Sequence, residues 1–140
     1  MANEGRVVRT DTAPRPVGAY PHARRVGDLL FLSGIGPREP ATNAIPEGID
    51  AQARAVFANV RAVLEASGAR WEDLVDVTVY LTDMAGDFKG YNAVWAEFFP
   101  DIDTAPCRTT LGISALPTPI SIELKCVAAF NPESRQGGSR

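Results

Sequence analysis

Two short apolar runs near the end of the chain, Ala105-Pro106-Cys107-Arg108-Thr109-Thr110 and Ile122-Glu123-Leu124, each carry one charged residue. An arginine in a mostly apolar strand is costly unless something pairs with it, and its planar fork of donors fits a carboxylate. That carboxylate is either Glu123 itself, in which case the two merely satisfy one another, or a group on a ligand. A glutamate beside an arginine is held in its charged form, and it serves as a base toward water only where burial partly offsets the arginine. The residues alone leave both readings open: an internal ion pair, or the clamp and base of a hydrolytic site.

Other side chains with chemical potential are fewer. Tyr20, in Val17-Gly18-Ala19-Tyr20-Pro21-His22, can cap a pocket or pack on a neighbouring surface. His22 with Arg24 and Arg25 makes a small basic cluster, able to hold an acidic group or to lie solvated in a loop. Gly34 and Gly36 lack the third glycine and the directly following helix of a phosphate-binding turn, so they are expected to permit a tight turn. Cys107 has no local base, and Trp71 and Trp95 read as packing residues. Two cysteines without a CxxC and a single histidine give neither a disulfide framework nor a metal set. Reduced thiols and no metal are expected.

These residues must be positioned by a small set of elements. A short strand is expected around Val7-Val8, and a second over Asp28 to Ser33, ending at Gly34-Ile35-Gly36-Pro37. Ala41 to Gly48 reads as a loop. Ile49, Ala53, Val56, Val60, Leu64 and Ser67 form the 3.6-residue stripe of an amphipathic helix that stops at Gly68. Leu74 to Leu81 is β-branched and alternating, hence a strand. Asp87 is placed to cap a second helix with Phe88, Tyr91, Trp95 and Phe98 on one face. Two more strands are predicted over Cys107 to Ile113 and Thr118 to Ala128. In the last, Ile120, Ile122, Leu124 and Cys126 share one face and Ser121, Glu123 and Lys125 the other; Arg108, Thr110 and Gly112 share a face of the strand before it. Both Arg108 and Glu123 are thereby expected to point off the apolar face. The plan is α+β, with two helices on one side of a sheet. The other side then has to be covered from outside the chain, which favours an oligomer.

At 140 residues and 45% hydrophobic the chain suits one domain, expected over residues 1–130, with a disordered tail over 131–140 that holds Gly137-Gly138-Ser139. A net charge of -3, a sequence pI near 5.1 and the lack of a basic stripe weigh against nucleic acid and favour a small or acidic metabolite over a polyanion as partner. Met1 to Thr10 has no apolar leader, and nowhere do 18 apolar residues run together, so a cytosolic protein that does not engage membranes is expected.

Val17-Gly18-Ala19-Tyr20, Leu32-Ser33-Gly34, Ala51-Gln52-Ala53-Arg54 with Asn59-Val60, Val75 to Leu81, Tyr91-Asn92, Pro106 to Thr110, Leu116-Pro117 and Ile122-Glu123-Leu124 together resemble the RidA/YjgF family of enamine and imine deaminases. The likeness runs from about Val17 to Ala128. It implies a chorismate-mutase-like fold, a homotrimer with sites at subunit interfaces, and chemistry that needs no cofactor. It also implies that the last strand inserts beside the helix-linked strands, so that Arg108 and Glu123 are not joined in a simple hairpin. By the same likeness, Arg108 clamps the substrate carboxylate and Glu123 positions or activates water. Tyr20 lines the pocket, and the Ser33-Gly34 turn touches the ligand. Where many members have a cysteine two residues after the arginine, Thr110 stands among the substrate contacts, and Cys107 lies one residue before the arginine instead.

Within the family, Tyr20 to Asp28, Gly34 to Arg38 and Leu116 to Ile120 look like the 2-aminomuconate deaminase branch. A conjugated amino-dicarboxylate from aromatic breakdown would call for two cationic contacts, with Arg24, Arg25 and Arg38 as available suppliers beside Arg108. The alternatives are a general deaminase of 2-aminoacrylate-type imines and a non-catalytic metabolite-binding or chaperone-like trimer. An RNA-cleaving role, described for some members, is opposed by the acidic pI.

Overall fold

The computed structural model describes residues 6–131; apart from Asn131, the expected C-terminal tail lies outside them. In chain order the elements are β1 (Arg6–Val8), β2 (Ala23–Val26), β3 (Leu29–Leu32), α1 (Ile49–Ala66), a 3₁₀ turn at Trp71–Asp73, β4 (Leu74–Leu81), α2 (Met84–Phe98), β5 (Cys107–Gly112) and β6 (Ile122–Ala129). They form one six-stranded mixed sheet in the order β1-β2-β3-β6-β4-β5. Only β4 and β5 run parallel, as a pair joined through a crossover helix must. The expected α+β plan, two helices and a mixed sheet, is what the chain forms.

β6 lies between β3 and β4, antiparallel to both. Its alternating burial follows the predicted parity: Ile122, Leu124, Cys126 and Ala128 are buried under the helices, and Glu123, Lys125 and Val127 face the other way. α1 buries Ala53, Val56, Val60 and Leu64 as its stripe requires, together with Phe57 and Val63. Burying each of the Val, Leu and Phe side chains fully stabilises the fold by about 1.5–3 kcal/mol. Two polar residues, Gln52 and Asn59, interrupt the same buried face.

Four local expectations are corrected. Ala23–Val26 is a strand, not a loop: Gly27, at φ 60°, and Asp28 form a two-residue hairpin connection between Val26 and Leu29. The segment after Ser33 is not a tight turn, because Ile35 bridges antiparallel to Leu124, one residue out of the β3–β6 register, and exchanges both backbone hydrogen bonds with it at 2.9 and 3.0 Å. α2 is capped by Asp83, whose carboxylate accepts from the Gly86 amide at 3.1 Å, and Asp87 sits one turn inside. The last strand starts at Ile122 and leaves Thr118 to Ser121 irregular.

The sheet face away from the helices carries exposed Val7, Leu29 and Phe31, continuous with Lys125, Thr78 and Tyr80 on the central strands. No helix among the described residues is long and apolar enough to cross a membrane.

Candidate functional site

Register separates the two charged residues. Arg108 on β5 is level with Val77 on β4, and Val77 with Cys126 on β6; all three share the helix-covered face. Glu123 is level with Tyr80, so it projects from the opposite face, with β4 between the two strands. Arg108 therefore does not point off the apolar face as expected, and it does not neutralise Glu123. An ion pair inside the sheet is replaced by contacts to α2: Arg108 Nη1 donates to Asn92 Oδ1 at 2.8 Å, and the guanidinium lies 4.8 Å from the Trp95 ring centre and 5.3 Å from that of Tyr91. Among the described residues no carboxylate is in ion-pair reach of Arg108. Thr110, two residues on, shares the face and joins its hydroxyl to that of Tyr91 at 2.9 Å.

Glu123 looks into a cavity of about 140 Å³, several times the volume of one water. Tyr20, Ser33, Gly34, Ile120 and Glu123 are among the residues that line it. The Glu123 carboxylate has no ion-pair or hydrogen-bond partner among the described residues, and burial raises its pKa above the ordinary carboxylate value. Gly34 makes its position possible, since a β-carbon there would overlap Glu123 Oε2. Gly36 plays a smaller version of the same part against Ile120. The Ser33 hydroxyl donates to the Pro21 carbonyl at 2.6 Å, which leaves its lone pairs free to accept. Tyr20 is 42% exposed at the cavity edge, and its hydroxyl accepts from the Val17 amide at 3.3 Å. Lys125 reaches across the same sheet face to donate to the Leu32 carbonyl, beside Ser33.

The expected basic cluster comes apart. His22 is only 5% exposed; its Nδ1 accepts from the Thr10 amide at 3.3 Å, which puts the proton on Nε2, donating to the Pro14 carbonyl at 2.8 Å. The imidazole is thus a neutral brace for the strap that walls the cavity. Arg25 turns away to lie 3.9 Å over the Phe130 ring, with its Nε bonded to the Gly27 carbonyl. Arg24 stands on β2 level with Val7 and Phe31, outside the cavity lining. Of the three arginines expected to supply a second cation, Arg38 alone lines the cavity.

The roles of several positioning residues are visible only in the fold. Asn59 donates to the carbonyls of Gly36 and Arg38 at 2.9 and 2.8 Å, and Gln52 bridges the Pro46 carbonyl and the Ser121 amide. Both are buried polar residues on an otherwise apolar helix face, a signal in the sequence beside their place in the segments that carry the family likeness. Asn92 is marked by that likeness alone; its part becomes visible through Arg108. Arg15, in the Pro14–Pro16 strap, lines the cavity as well. Cys126 is buried, its thiol pushed up to about 12 by that burial, and Cys107 is exposed on the face of β5 opposite to Arg108. Neither touches the cavity.

In chemical terms the chain presents two half-sites: a carboxylate without an ion-pair partner in a small cavity, and a cation without a carboxylate beside α2.

The family model described as Endoribonuclease L-PSP matches residues 10–130 of this chain. A RutC family protein of Pyrococcus horikoshii is 41% identical over 123 residues, spanning 87% of this chain and 95% of that protein. The 2-iminobutanoate/2-iminopropanoate deaminase of Salmonella typhimurium is 34% identical, spanning 88% and 96%. Among solved structures, E. coli TdcF with bound serine superposes with a TM-score of 0.84 at 31% identity, covering 90% of this chain and 99% of that one.

Proposed function

On the premise that the chain belongs to the endoribonuclease L-PSP family, the RidA/YjgF proteins, we propose that it hydrolyses an imine or enamine carboxylate and releases ammonia. The observation that carries this reading is the unpaired, half-buried Glu123 in a metabolite-sized cavity. Relatives named as deaminases of imino acids support the same reaction class. A serine held by TdcF supports a small molecule with an α-carboxylate as ligand.

The enamine first tautomerises to the imine, whose carbon is electrophilic. Glu123 orients a water and accepts its proton as the oxygen adds to that carbon, giving a carbinolamine. The proton returns to nitrogen, the C–N bond breaks, and ammonia leaves a 2-oxo acid. Burial that raises the Glu123 pKa makes it a better base than an ordinary surface carboxylate.

Arg108 is proposed to hold the substrate carboxylate bidentately. In one chain it stands on the wrong face of the sheet for that task. A second copy would bring its Arg108, Asn92 and Thr110 to the Glu123 cavity and would also cover the exposed Val7, Leu29 and Phe31. This supports a homotrimer whose sites are shared between subunits. The narrower substrate, 2-aminomuconate, needs a second cation, and Arg38 is in place to provide one. Ribonuclease chemistry finds less support in a chain of net charge -3 with a cavity this small.

The test is ammonia and 2-oxo acid release from 2-iminobutanoate generated in the assay by an amino-acid oxidase. Catalysis well above the buffer rate, lost in Glu123→Gln, is expected. A wild-type rate equal to buffer alone would sink the reading.

A further inference from the structure

Successive residues of a regular strand face opposite sides, yet Ser33 and Gly34, adjacent in sequence, both line the Glu123 cavity. A slip in the pairing of β3 with β6 accounts for this. Phe31 pairs with Val127, which sets Leu32 beside Cys126, whereas Ile35 pairs with Leu124. Between these pairs the chain leaving β3 has two residues, Ser33 and Gly34, where β6 has one, Lys125. Such an extra residue is a β-bulge, which bends its strand and re-aims the side chains it carries. At Gly34 the result is a β-carbon direction that runs onto the Glu123 carboxylate.

A bulge breaks the ladder locally, so the backbone there needs support from elsewhere. From the β2 side, the Ser33 amide donates to the His22 carbonyl at 2.9 Å and the Ser33 hydroxyl to the Pro21 carbonyl at 2.6 Å. From the β6 side the support is Lys125, whose ammonium donates to the Leu32 carbonyl, the peptide that leads into Ser33. Among the described residues no carboxylate is in ion-pair reach of Lys125, and Lys125 does not line the cavity. A half-buried ammonium without a counter-charge is costly unless its hydrogen bond is a good one, and a charged donor on a backbone carbonyl is stronger than a neutral one.

We infer that Lys125 is a positioning residue for the deamination, its ammonium pinning the bulge that sets Ser33 and Gly34 against Glu123. This rests on the deaminase reading of the cavity. Without the ammonium the Leu32–Ser33 peptide relaxes, Gly34 shifts against the glutamate, and the base no longer holds its water in line. Arg108 stands on another strand and keeps its contacts, so the loss falls on kcat rather than on KM.

Lys125→Met keeps the length of the side chain and removes its donors. Assayed with 2-iminobutanoate, it should lose about tenfold in kcat with KM within about twofold of wild type, since small displacements at a reacting centre are enough. Lys125→Arg, which can donate to the same carbonyl, should recover most of that loss. On a Gly34→Ala background, where Glu123 is already displaced, Lys125→Met should cost less than about twofold more, because the two changes act on one geometry. Melting curves check that each variant is folded, and Lys125→Gln takes the place of Lys125→Met should the latter not fold. An unchanged kcat in Lys125→Met, or the full loss repeated on the Gly34→Ala background, would overturn the inference and leave the deaminase standing. If wild type released no ammonia, the deaminase reading would fall, and hydrogen exchange would decide the pinning alone. Lys125→Met should then speed exchange at the Ser33 and Ile35 amides about tenfold and leave Val79, in the middle of β4, unchanged. Equal rates in the two proteins, or a rise at Val79 as large as at Ser33 and Ile35, would overturn it.

Discussion

The carboxylate of Glu123 lies directly against the α-carbon of Gly34, in space that any larger residue would fill. β3 continues past Ser33 to the Ile35 bridge with Leu124, so the backbone at Gly34 runs beside β6 at the level of the glutamate. Gly34→Ala should displace Glu123 without breaking the sheet. Expected is a loss of about 10²-fold in kcat with a small change in melting temperature, because a misplacement near 1 Å is enough for such a loss. Steady-state kinetics beside thermal melts check it.

Glu123→Gln should lower kcat by roughly 10²–10⁴ and change KM little. The pH behaviour has a defined sign. Burial raises the folded-state pKa of Glu123, so its proton binds more tightly in the folded protein. That contribution to stability is complete at pH below the ordinary carboxylate range and is lost as pH rises through the raised value. Glu123→Gln should therefore melt higher than wild type at neutral pH, by about a degree or more, and lose the advantage in acid. Activity runs the other way, falling as acid protonates the base. A variant that is slower and also less stable at neutral pH would contradict this account.

Arg108→Ala should raise KM by about 30-fold or more, the effect of losing one hydrogen-bonded charge pair with substrate. Arg108→Lys should not restore it, since an ammonium cannot make two parallel bonds or lie flat over Trp95 and Tyr91. Asn92→Ala releases one guanidinium N–H and should give a milder rise in KM with kcat nearly kept. Substrate titrations of the three variants distinguish a clamp from a packing arginine.

Asn59→Ala leaves the carbonyls of Gly36 and Arg38 without their donor and should cost about 1–3 kcal/mol in urea unfolding. It should also weaken binding of a dicarboxylate ligand more than of a monocarboxylate of equal length, because the loop that carries Arg38 is freed. A stability loss with no change in that preference would separate Asn59 from the site.

Much of the fold is legible in residue patterns because those patterns record burial. The stripe of α1 and the alternation of β4 and β6 do so directly. β2 is hidden because two adjacent arginines break the apolar signal; Gly27-Asp28, a two-residue hairpin signal, was the available clue. At the site, the type and strand parity of Glu123 are readable from its neighbours. The face occupied by Arg108 is not, since β5 is an edge strand whose alternation carries no apolar side. Its orientation follows from parallel register with β4, a tertiary fact. Arg15 is likewise invisible, as nothing local in the Pro14–Pro16 strap tells that it borders a cavity.

The placement of β6 bears on how the molecule is made. β3 and β4, on either side of it, emerge earlier in synthesis and have no partner in common until β6 arrives. Until then the nascent chain holds two half-sheets with open inner edges, an arrangement prone to pairing with other chains. Closing the sheet needs long-range contacts such as Leu29 with Ala129, a slow step for a domain of this size. Glu123 lies on that closing strand, so the strand that completes the sheet is also the one that brings in the base.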